Sequence, residues 1–389
     1  MRTSTDRLAK LIFTTLIIII LMSCDNSNGA DTEDKQGHIN SESLVLPLED
    51  NTAIDTEALE PDGIYNPLNG LYDWSEYRKG QRVIGVAVSN IQNSWPVYGI
   101  SGAEVVIEIE TGGGITRFLC LYSDPSKVEC IGSIRSASNT MLELLSPMDT
   151  IEVCMSEFNH DLTAYTNEPN DHIYVISDWS LRNKNANAFY RNIERINTYS
   201  SEHNMFTDSQ TIYKAIEAAE LSVYTPNLSS FLHFVPYSSE PMVPKDSIAE
   251  NIIFCFYDPT NSQRKGIATK TDGDFRYDNV SGRYMKYQFG EPQLDGGANI
   301  QISFDNILII SAEQEYLFSD SMDELSYNIG SGGIGWYFCG GRYEKVLWEK
   351  DDNGITLRNL TTEEEVLLNP GNTYIALIPR EYEETVVVI

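Results

Sequence analysis

The sequence predicts an α+β protein, with a mixed α/β N-terminal domain built on a mixed sheet and a β-rich C-terminal domain. Short β-branched runs separated by Gly and Pro recur along the chain, whereas helical spacing of apolar residues occurs only in the first half. A proline-rich stretch without periodicity divides the two halves. We therefore predict domains at 63–221 and 251–389, joined by a junction at 222–250.

The N-terminal half is predicted to contain short strands and two helices. Met141, Leu144 and Leu145 share one helical face, which predicts a helix over Ser136–Leu145 that Pro147 ends. A second helix is predicted after the capping-box pattern Thr207-Asp208-Ser209-Gln210. The predicted strands of this half are Val83–Ser89, Glu104–Glu110, Ile115–Tyr122, Thr150–Met155 and His172–Ser177.

A turn at Ser123-Asp124-Pro125-Ser126 predicts that the strand Ile115–Tyr122 folds back on Val128–Ile131 as a hairpin. This register would place Arg117 opposite Ser133, with Arg135 close by. The sequence thus predicts that two guanidinium groups converge.

The C-terminal half is predicted to consist almost entirely of strands. Asn353-Gly354 is its strongest hairpin signal. The predicted strands are Ile252–Tyr257, Arg283–Gln288, Ile300–Ile310, Ile334–Cys339, Tyr343–Trp348 and Thr373–Ile378.

The first 23 residues have the parts of a bacterial lipoprotein signal peptide. Three basic residues precede the apolar run Leu11–Met22, which leads into Leu21-Met22-Ser23-Cys24. The alternative is an uncleaved anchor helix, but a membrane span needs roughly 20 apolar residues and this run is shorter. We therefore predict that lipid is attached to Cys24 and that the protein is exported, anchored to the cell membrane on its extracytoplasmic face.

Residues 24–62 are predicted to form a disordered acidic tether behind the lipidated cysteine. The stretch from Asp25 to Asp62 holds eleven acidic residues, one basic residue and no aromatic residue. Such a composition buries too little apolar surface to offset the entropy cost of ordering. Its negative charges repel one another and extend the linker.

Composition excludes several functional classes. A formal net charge of −30 repels phosphate backbones, so no nucleic-acid partner is predicted. The cysteines lack paired metal-ligand spacing, so we predict no metal site. Cys120 and Cys130 could face each other, but we predict that the cysteines of the folded part are buried free thiols. Asn159-His160-Asp161 and Asp171-His172 could supply metal ligands or a general base, but they are isolated and lack matched spacing. We therefore assign them no catalytic or metal role.

No cofactor is predicted. Gly330, Gly332 and Gly335 satisfy the G-x-G-x-x-G pattern, but a strand-like run follows where a dinucleotide site needs a helix. The pattern therefore predicts a glycine-rich turn.

The stretch that most resembles a built site combines Glu108 and Glu110 with a glycine turn and the two arginines Arg117 and Arg135. Arginine clusters bind carboxylate or phosphate groups bidentately. The two glutamates could instead neutralise the arginines in an ion-pair network inside the fold. The sequence leaves both interpretations open. If the arginines bind a ligand, the implied partner is an anionic small molecule or an envelope component.

Several segments resemble the YerB-like lipoproteins of Gram-positive bacteria. In the N-terminal half these are Asn66–Leu71, Gly113–Phe118, Arg135–Ala137 and His203–Thr207. In the C-terminal half they are Ser281–Tyr284, Asp305–Ile307, Gly330–Gly332, Trp348 and Leu368–Gly371. The resemblance covers roughly residues 65–380 in the same order, and implies a lipid-anchored envelope protein of undefined molecular activity.

The resemblance also implies a ligand-binding set. The positions that match the family pattern are Asn90, Glu108, Arg117, Arg135 and Asn204. The chain departs from that pattern at Trp95, Gly112, Ser138 and Cys154–Phe158. If the cluster binds a ligand in the relatives, these departures imply that this chain binds a different ligand, or none.

The leading functional prediction is a non-enzymatic binding or scaffold protein of the cell envelope, because the sequence shows no nucleophile motif and no metal motif. The alternative is a hydrolase or transferase acting on envelope polymers, with Glu108 or Glu110 as the acid/base.

Overall fold

The structure is a computed structural model. It describes residues 61–389 apart from 147, 156–172, 178–180, 182–183, 185, 226–229, 238, 259, 261–270 and 320–321. These residues belong to one compact unit, Glu57–Ile389. The signal peptide, Cys24 and nearly all of the tether lie outside the described residues, as do His160, Asp161, Asp171 and His172.

Eight strands and two α-helices form the N-terminal half of the described chain. The helices are α1 (Asn139–Leu145) and α2 (Ser209–Ala218). The strands are β1 (Val83–Ser89), β2 (Val105–Gly112), β3 (Ile115–Tyr122), β4 (Ile131–Gly132), β5 (Thr150–Val153), β6 (Ile173–Ile176), β7 (Tyr190–Arg191) and β8 (Met205–Thr207).

The C-terminal half of the described chain contains strands with only short 3₁₀ turns between them. These strands are β9 (Ser247–Ile248), β10 (Asn251–Tyr257), β11 (Thr271–Asp278), β12 (Arg283–Gln288), β13 (Glu291–Pro292), β14 (Leu294–Asp295), β15 (Ile300–Gln301), β16 (Ser303–Phe304), β17 (Asn306–Ser319), β18 (Met322–Asn328), β19 (Gly333–Cys339), β20 (Arg342–Asp351), β21 (Gly354–Asn359), β22 (Thr373–Pro379) and β23 (Val387–Val388).

One large mixed sheet runs through both halves of the chain. Its strand order is β21-β20-β19-β17-β22-β2-β3-β1-β5-β6. The halves meet where β2 pairs in parallel with β22, from Val105 opposite Thr373 to Ile109 opposite Leu377. A strand of the C-terminal half thus lies next to a strand of the N-terminal half in the middle of the sheet. The two halves, which the sequence divides at the predicted junction 222–250, share this sheet.

Both faces of the large sheet are covered. On one face, Phe118 and Tyr374 share a core with Phe254 and Phe275 of a second sheet, whose strand order is β13-β12-β11-β10-β23. On the other face, α1 contributes Met141 and other apolar side chains to a second core. Strands buried on both sides explain the continuous apolar runs in the sequence.

The fold class needs a correction, because the described chain is predominantly β, with two short α-helices and several mixed sheets. The two predicted helices are confirmed with shifted starts. Ser138 caps α1 and accepts a hydrogen bond from the Met141 amide, while Asp208, one residue after the predicted cap, does the same for α2.

The predicted hairpin around Pro125 is wrong. Both edges of β3 are already occupied, by β1 and by β2, because the glycine turn at 112–114 folds β2 directly onto β3. Asp124 instead caps a 3₁₀ turn at Pro125–Lys127. The chain then enters β4, which pairs with β8.

Other local predictions are confirmed. Asp351 pairs with Gly354 in the hairpin at Asn353-Gly354. The glycine motif closes a 3₁₀ turn and opens strand β19. Cys120 and Cys130 are free thiols.

Within the described residues, no helix combines the length and the apolar character that crossing a membrane requires.

A buried acid lies in the middle of β5. Glu152 has no solvent-exposed surface, and neither carboxyl oxygen has a hydrogen-bond partner among the described residues. Its carboxyl group lies over Gly85 of β1, where an added Cβ would come 2.1 Å from Oε2. Gly85 therefore leaves the room that this side chain occupies. Burial raises the pKa of Glu152 well above its usual range.

We predict that Glu152 weakens the fold as the pH rises. Because the pKa of Glu152 is raised in the folded state, the folded protein binds this proton more tightly than the unfolded chain does. The contribution of this proton to the free energy of unfolding is complete below the unfolded pKa of about 4.3 and is lost as the pH rises above it. The stability of Glu152→Gln relative to the natural chain should therefore grow as the pH rises from about 4, by up to about 1.4 kcal/mol per pH unit. Urea unfolding at pH 5, 6 and 7 measures this difference.

The exposed Glu76 supplies the control for this experiment. The difference between Glu76→Gln and the natural chain should stay nearly constant over the same pH range. Parallel stability curves for Glu152→Gln and the natural chain would contradict the assignment of Glu152 as a buried neutral acid.

Candidate functional site

Glu108 is the centre of a buried polar network between the two sheets. It extends from β2 and its side chain has no solvent-exposed surface. Its Oε1 accepts hydrogen bonds from Asn90 Nδ2 at 2.7 Å and from Thr116 Oγ1 at 2.7 Å. Its Oε2 accepts a hydrogen bond from the Tyr374 hydroxyl at 2.6 Å. Both carboxylate oxygens are thus bonded inside the protein.

The positive partner of Glu108 is Lys286, from β12 of the second sheet. Its Nζ lies 3.1 Å from Glu108 Oε2, and both side chains are fully buried. The ammonium group also lies 5.1 Å from the ring centroid of Phe275 and 5.3 Å from that of Tyr374. Burial lowers the pKa of Lys286, and the neighbouring Glu108 carboxylate opposes that shift.

Three carboxamides extend the network. Asn90 Nδ2 donates to Gln288 Oε1 at 2.8 Å, and Gln293 Nε2 donates to Asn90 Oδ1 at 2.7 Å. Lys286 Nζ donates to Gln288 Oε1 at 3.1 Å. Within the described chain, Gln288 Nε2 and Gln293 Oε1 are buried without a partner. The network, which we call the Glu108 network, therefore joins β2 and β3 to β12 and β22.

The five residues of the predicted ligand set do not form one site. Asn90 and Glu108 lie in the Glu108 network, on the face of the large sheet that Phe118 shares. Arg117 is the neighbour of Phe118 in β3, and successive strand residues point to opposite faces. Arg117 therefore points away from Glu108.

Arg117 and Arg135 do lie in the same region, although the route differs from the prediction. Arg117 pairs with Ser89 in β1, and the Ser89 amide donates to the Ser133 carbonyl on the other side of that strand. The Arg117 guanidinium donates through Nη1 to the Ser136 carbonyl at 2.8 Å. Strand β1 thus separates the two segments that the sequence predicted to be paired.

Arg135 has an acidic partner from a different part of the chain. Its Nη1 lies 3.3 Å from Glu202 Oε2, with 25% of the arginine side chain and 55% of the glutamate side chain exposed. Arg135 is therefore ion-paired with Glu202 and not with Glu108 or Glu110. Glu110 Oε1 instead accepts the Gly114 amide at 2.7 Å and holds the glycine turn.

Asn204 has a structural environment. It is nearly fully buried, its Oδ1 accepts a hydrogen bond from Arg191 Nη1 at 2.5 Å, and its carbonyl accepts the Asn192 amide. These bonds hold the segment that leads into β8. Asn204 lies in this segment, apart from the Glu108 network.

The geometry limits the chemistry open to these residues. A general acid or base must come within hydrogen-bond reach of its substrate. Glu108 is sealed between two sheets, so no envelope polymer can contact it without separation of those sheets. Among the described residues, no group of three or more His, Cys, Asp and Glu side chains could hold a metal ion.

The most important residue that sequence reasoning missed is Lys286. In β12 the buried positions alternate, so Tyr284, Lys286 and Gln288 share the inward face. The sequence did contain a signal for it: a lysine and a glutamine alternate with the same period as a buried tyrosine, which indicates polar side chains on the buried face. Their partner on a strand more than 170 residues away was not visible in the sequence.

Comparison with known families places the chain in a two-domain class of unknown function. Residues 68–222 match the N-terminal domain of the protein family of unknown function DUF3048, and residues 264–375 match its C-terminal domain. Together these matches cover more than half of the chain.

The chain belongs to this YerB-like family. It is 23% identical over 323 residues to "Putative lipoprotein YerB" of Bacillus subtilis (strain 168), an alignment that covers 80% of this chain and 86% of that protein. The crystal structure of YerB protein from Bacillus subtilis has the same fold, with a TM-score of 0.67 at 20% identity, covering 83% of this chain and 99% of that one.

We predict that Arg117 stabilises the fold more than Arg135 does. Replacing Arg117 by Ala removes a charge-assisted hydrogen bond to a backbone carbonyl, worth about 1.5–3 kcal/mol. Replacing Arg135 by Ala removes a partly exposed ion pair worth at most about 1 kcal/mol. Urea unfolding of the two variants measures both values.

Arg117→Lys is the matched variant, because it keeps the charge and loses the planar donor group. It should recover only part of the stability. If both alanine variants keep the natural stability while an anionic ligand is no longer bound, the two arginines form a binding site and the structural assignment fails.

Proposed function

We propose that this protein is a lipid-anchored, non-enzymatic binding or scaffold protein on the extracytoplasmic face of the cell membrane. The observation that carries the proposal is the sequence Leu21-Met22-Ser23-Cys24 at the end of a charged and apolar leader. The naming of the Bacillus subtilis relative as a putative lipoprotein supports the same reading.

The acidic stretch behind Cys24 supports a tethered arrangement. A linker of net charge −10 extends by self-repulsion and is repelled by anionic lipid headgroups. We propose that residues 24–62 hold the folded body away from the membrane surface. In that position the body faces the polymers of the envelope.

The architecture of the body supports binding rather than catalysis. Glu108 and Glu110, the two acids that an envelope hydrolase or transferase would use, are almost fully buried and bonded within the protein. An anionic small molecule or envelope component is a second candidate ligand, which the partly exposed Arg135 and the half-buried Arg117 would contact if replacing them leaves the stability unchanged.

We predict that Cys24→Ala abolishes membrane anchoring. Without the thiol, lipid cannot be attached, and the apolar leader is too short for a comfortable span. In detergent phase separation of cells that produce the natural chain, the protein should enter the detergent phase, whereas the Ala variant should enter the aqueous phase or accumulate as precursor.

Cys130→Ala is the control, because it removes a free thiol in the folded body and leaves the leader unchanged. It should partition like the natural chain. Efficient partitioning of Cys24→Ala into detergent would refute the lipoprotein assignment.

A further inference from the structure

A cleft of about 540 Å³ lies between helix α2 and the described residues 184, 186, 187, 189 and 190. We call it the α2 cleft. Its volume falls in the range that small-molecule and oligomer sites occupy. Its lining includes Lys184, Asn187, Phe189, Tyr190, Thr211 and Lys214. None of these residues belongs to the Glu108 network or to the pair of arginines.

The α2 cleft combines an apolar floor with a polar rim. Phe189 is 5% exposed, so its ring belongs to the base of the cleft and continues into the core that α2 packs against. Tyr190 is 37% exposed and presents its ring at the surface. Asn187 and Lys214 are exposed and offer an amide and an ammonium group. Such a lining suits a ligand with one apolar face and many hydroxyl or amide groups.

The charges of the cleft disfavour a polyanion. Lys184 is already paired with Glu220, at 3.5 Å, and Glu217 lies in the lining beside Lys214. The local charge is therefore close to balanced, and the whole chain carries −30. A field of that sign repels a phosphodiester or other acidic polymer and does not act on a neutral one.

We propose that the α2 cleft binds a segment of a neutral glycan chain, with a sugar ring against the exposed part of Tyr190 and its hydroxyl or amide groups on the polar rim, while Phe189 forms the apolar floor beneath. This inference rests on the proposed function, since only a body outside the membrane meets envelope glycans. A cleft of this volume holds more than a single sugar ring, so an oligosaccharide is the appropriate probe.

The test is calorimetric titration of the detergent-purified full chain with chitotetraose and with maltotetraose, two uncharged glycans, and with polyglycerol phosphate as a polyanion. At least one glycan should bind, and polyglycerol phosphate should not. Tyr190→Ala and Asn187→Ala should each weaken glycan binding about tenfold or more. Asn187 is exposed, so Asn187→Ala should keep the natural thermal unfolding curve. Tyr190 is 37% exposed, so Tyr190→Phe, which keeps the ring, is the second variant and should keep both the unfolding curve and most of the glycan binding.

Tyr237→Ala is the matched control, because Tyr237 is an exposed tyrosine outside the cleft. It should bind glycan like the natural chain. The proposal fails if neither glycan binds, if the Tyr190→Ala and Asn187→Ala variants bind unchanged, or if polyglycerol phosphate binds instead and Lys214→Ala removes that binding. Detergent partitioning of the same preparation tests the membrane anchor independently, so failure of the glycan proposal leaves the anchoring result readable.

Discussion

The arrangement of the described chain depends on one buried ion pair. Glu108 and Lys286 lie 3.1 Å apart with no exposed surface, between the large sheet and the sheet that packs on it. Removing two charges from water costs several kcal/mol per ion, which only close pairing and further hydrogen bonds can offset. Asn90, Thr116 and Tyr374 supply those bonds to the carboxylate. The pair therefore specifies which strands meet, because any other docking of the sheets would leave a charge unpaired.

This constraint connects the two halves of the sequence. Glu108 and Thr116 come from the N-terminal half, whereas Lys286 and Tyr374 come from the C-terminal half. The parallel pairing of β2 with β22 brings them together. In this core the acids are sealed, whereas a catalyst would need them to be open to its substrate. This burial is one of the observations that support the proposed binding or scaffold role.

The sequence predicted local structure well and long-range partners poorly. The strand Ile115–Tyr122 and the hairpin at Asn353-Gly354 depend on neighbouring residues, so their patterns were sufficient. The hairpin around Pro125 failed because turn chemistry does not reveal that both edges of a strand are already paired. Asn90 and Glu108, two members of the predicted set, are hydrogen-bonded to each other. Lys286 was missed because the pattern of its strand is that of any half-buried strand, and its partner is distant in sequence.

The most direct test of the central ion pair is a double-mutant cycle on Glu108 and Lys286, measured by urea unfolding of the full chain. Lys286→Met leaves a buried carboxylate without its cation and should lower the free energy of unfolding by about 3–5 kcal/mol. Glu108→Gln should also destabilise the protein, and the double variant should lose much less than the sum of the two single losses. Single losses below about 1 kcal/mol, or losses that simply add, would contradict the account.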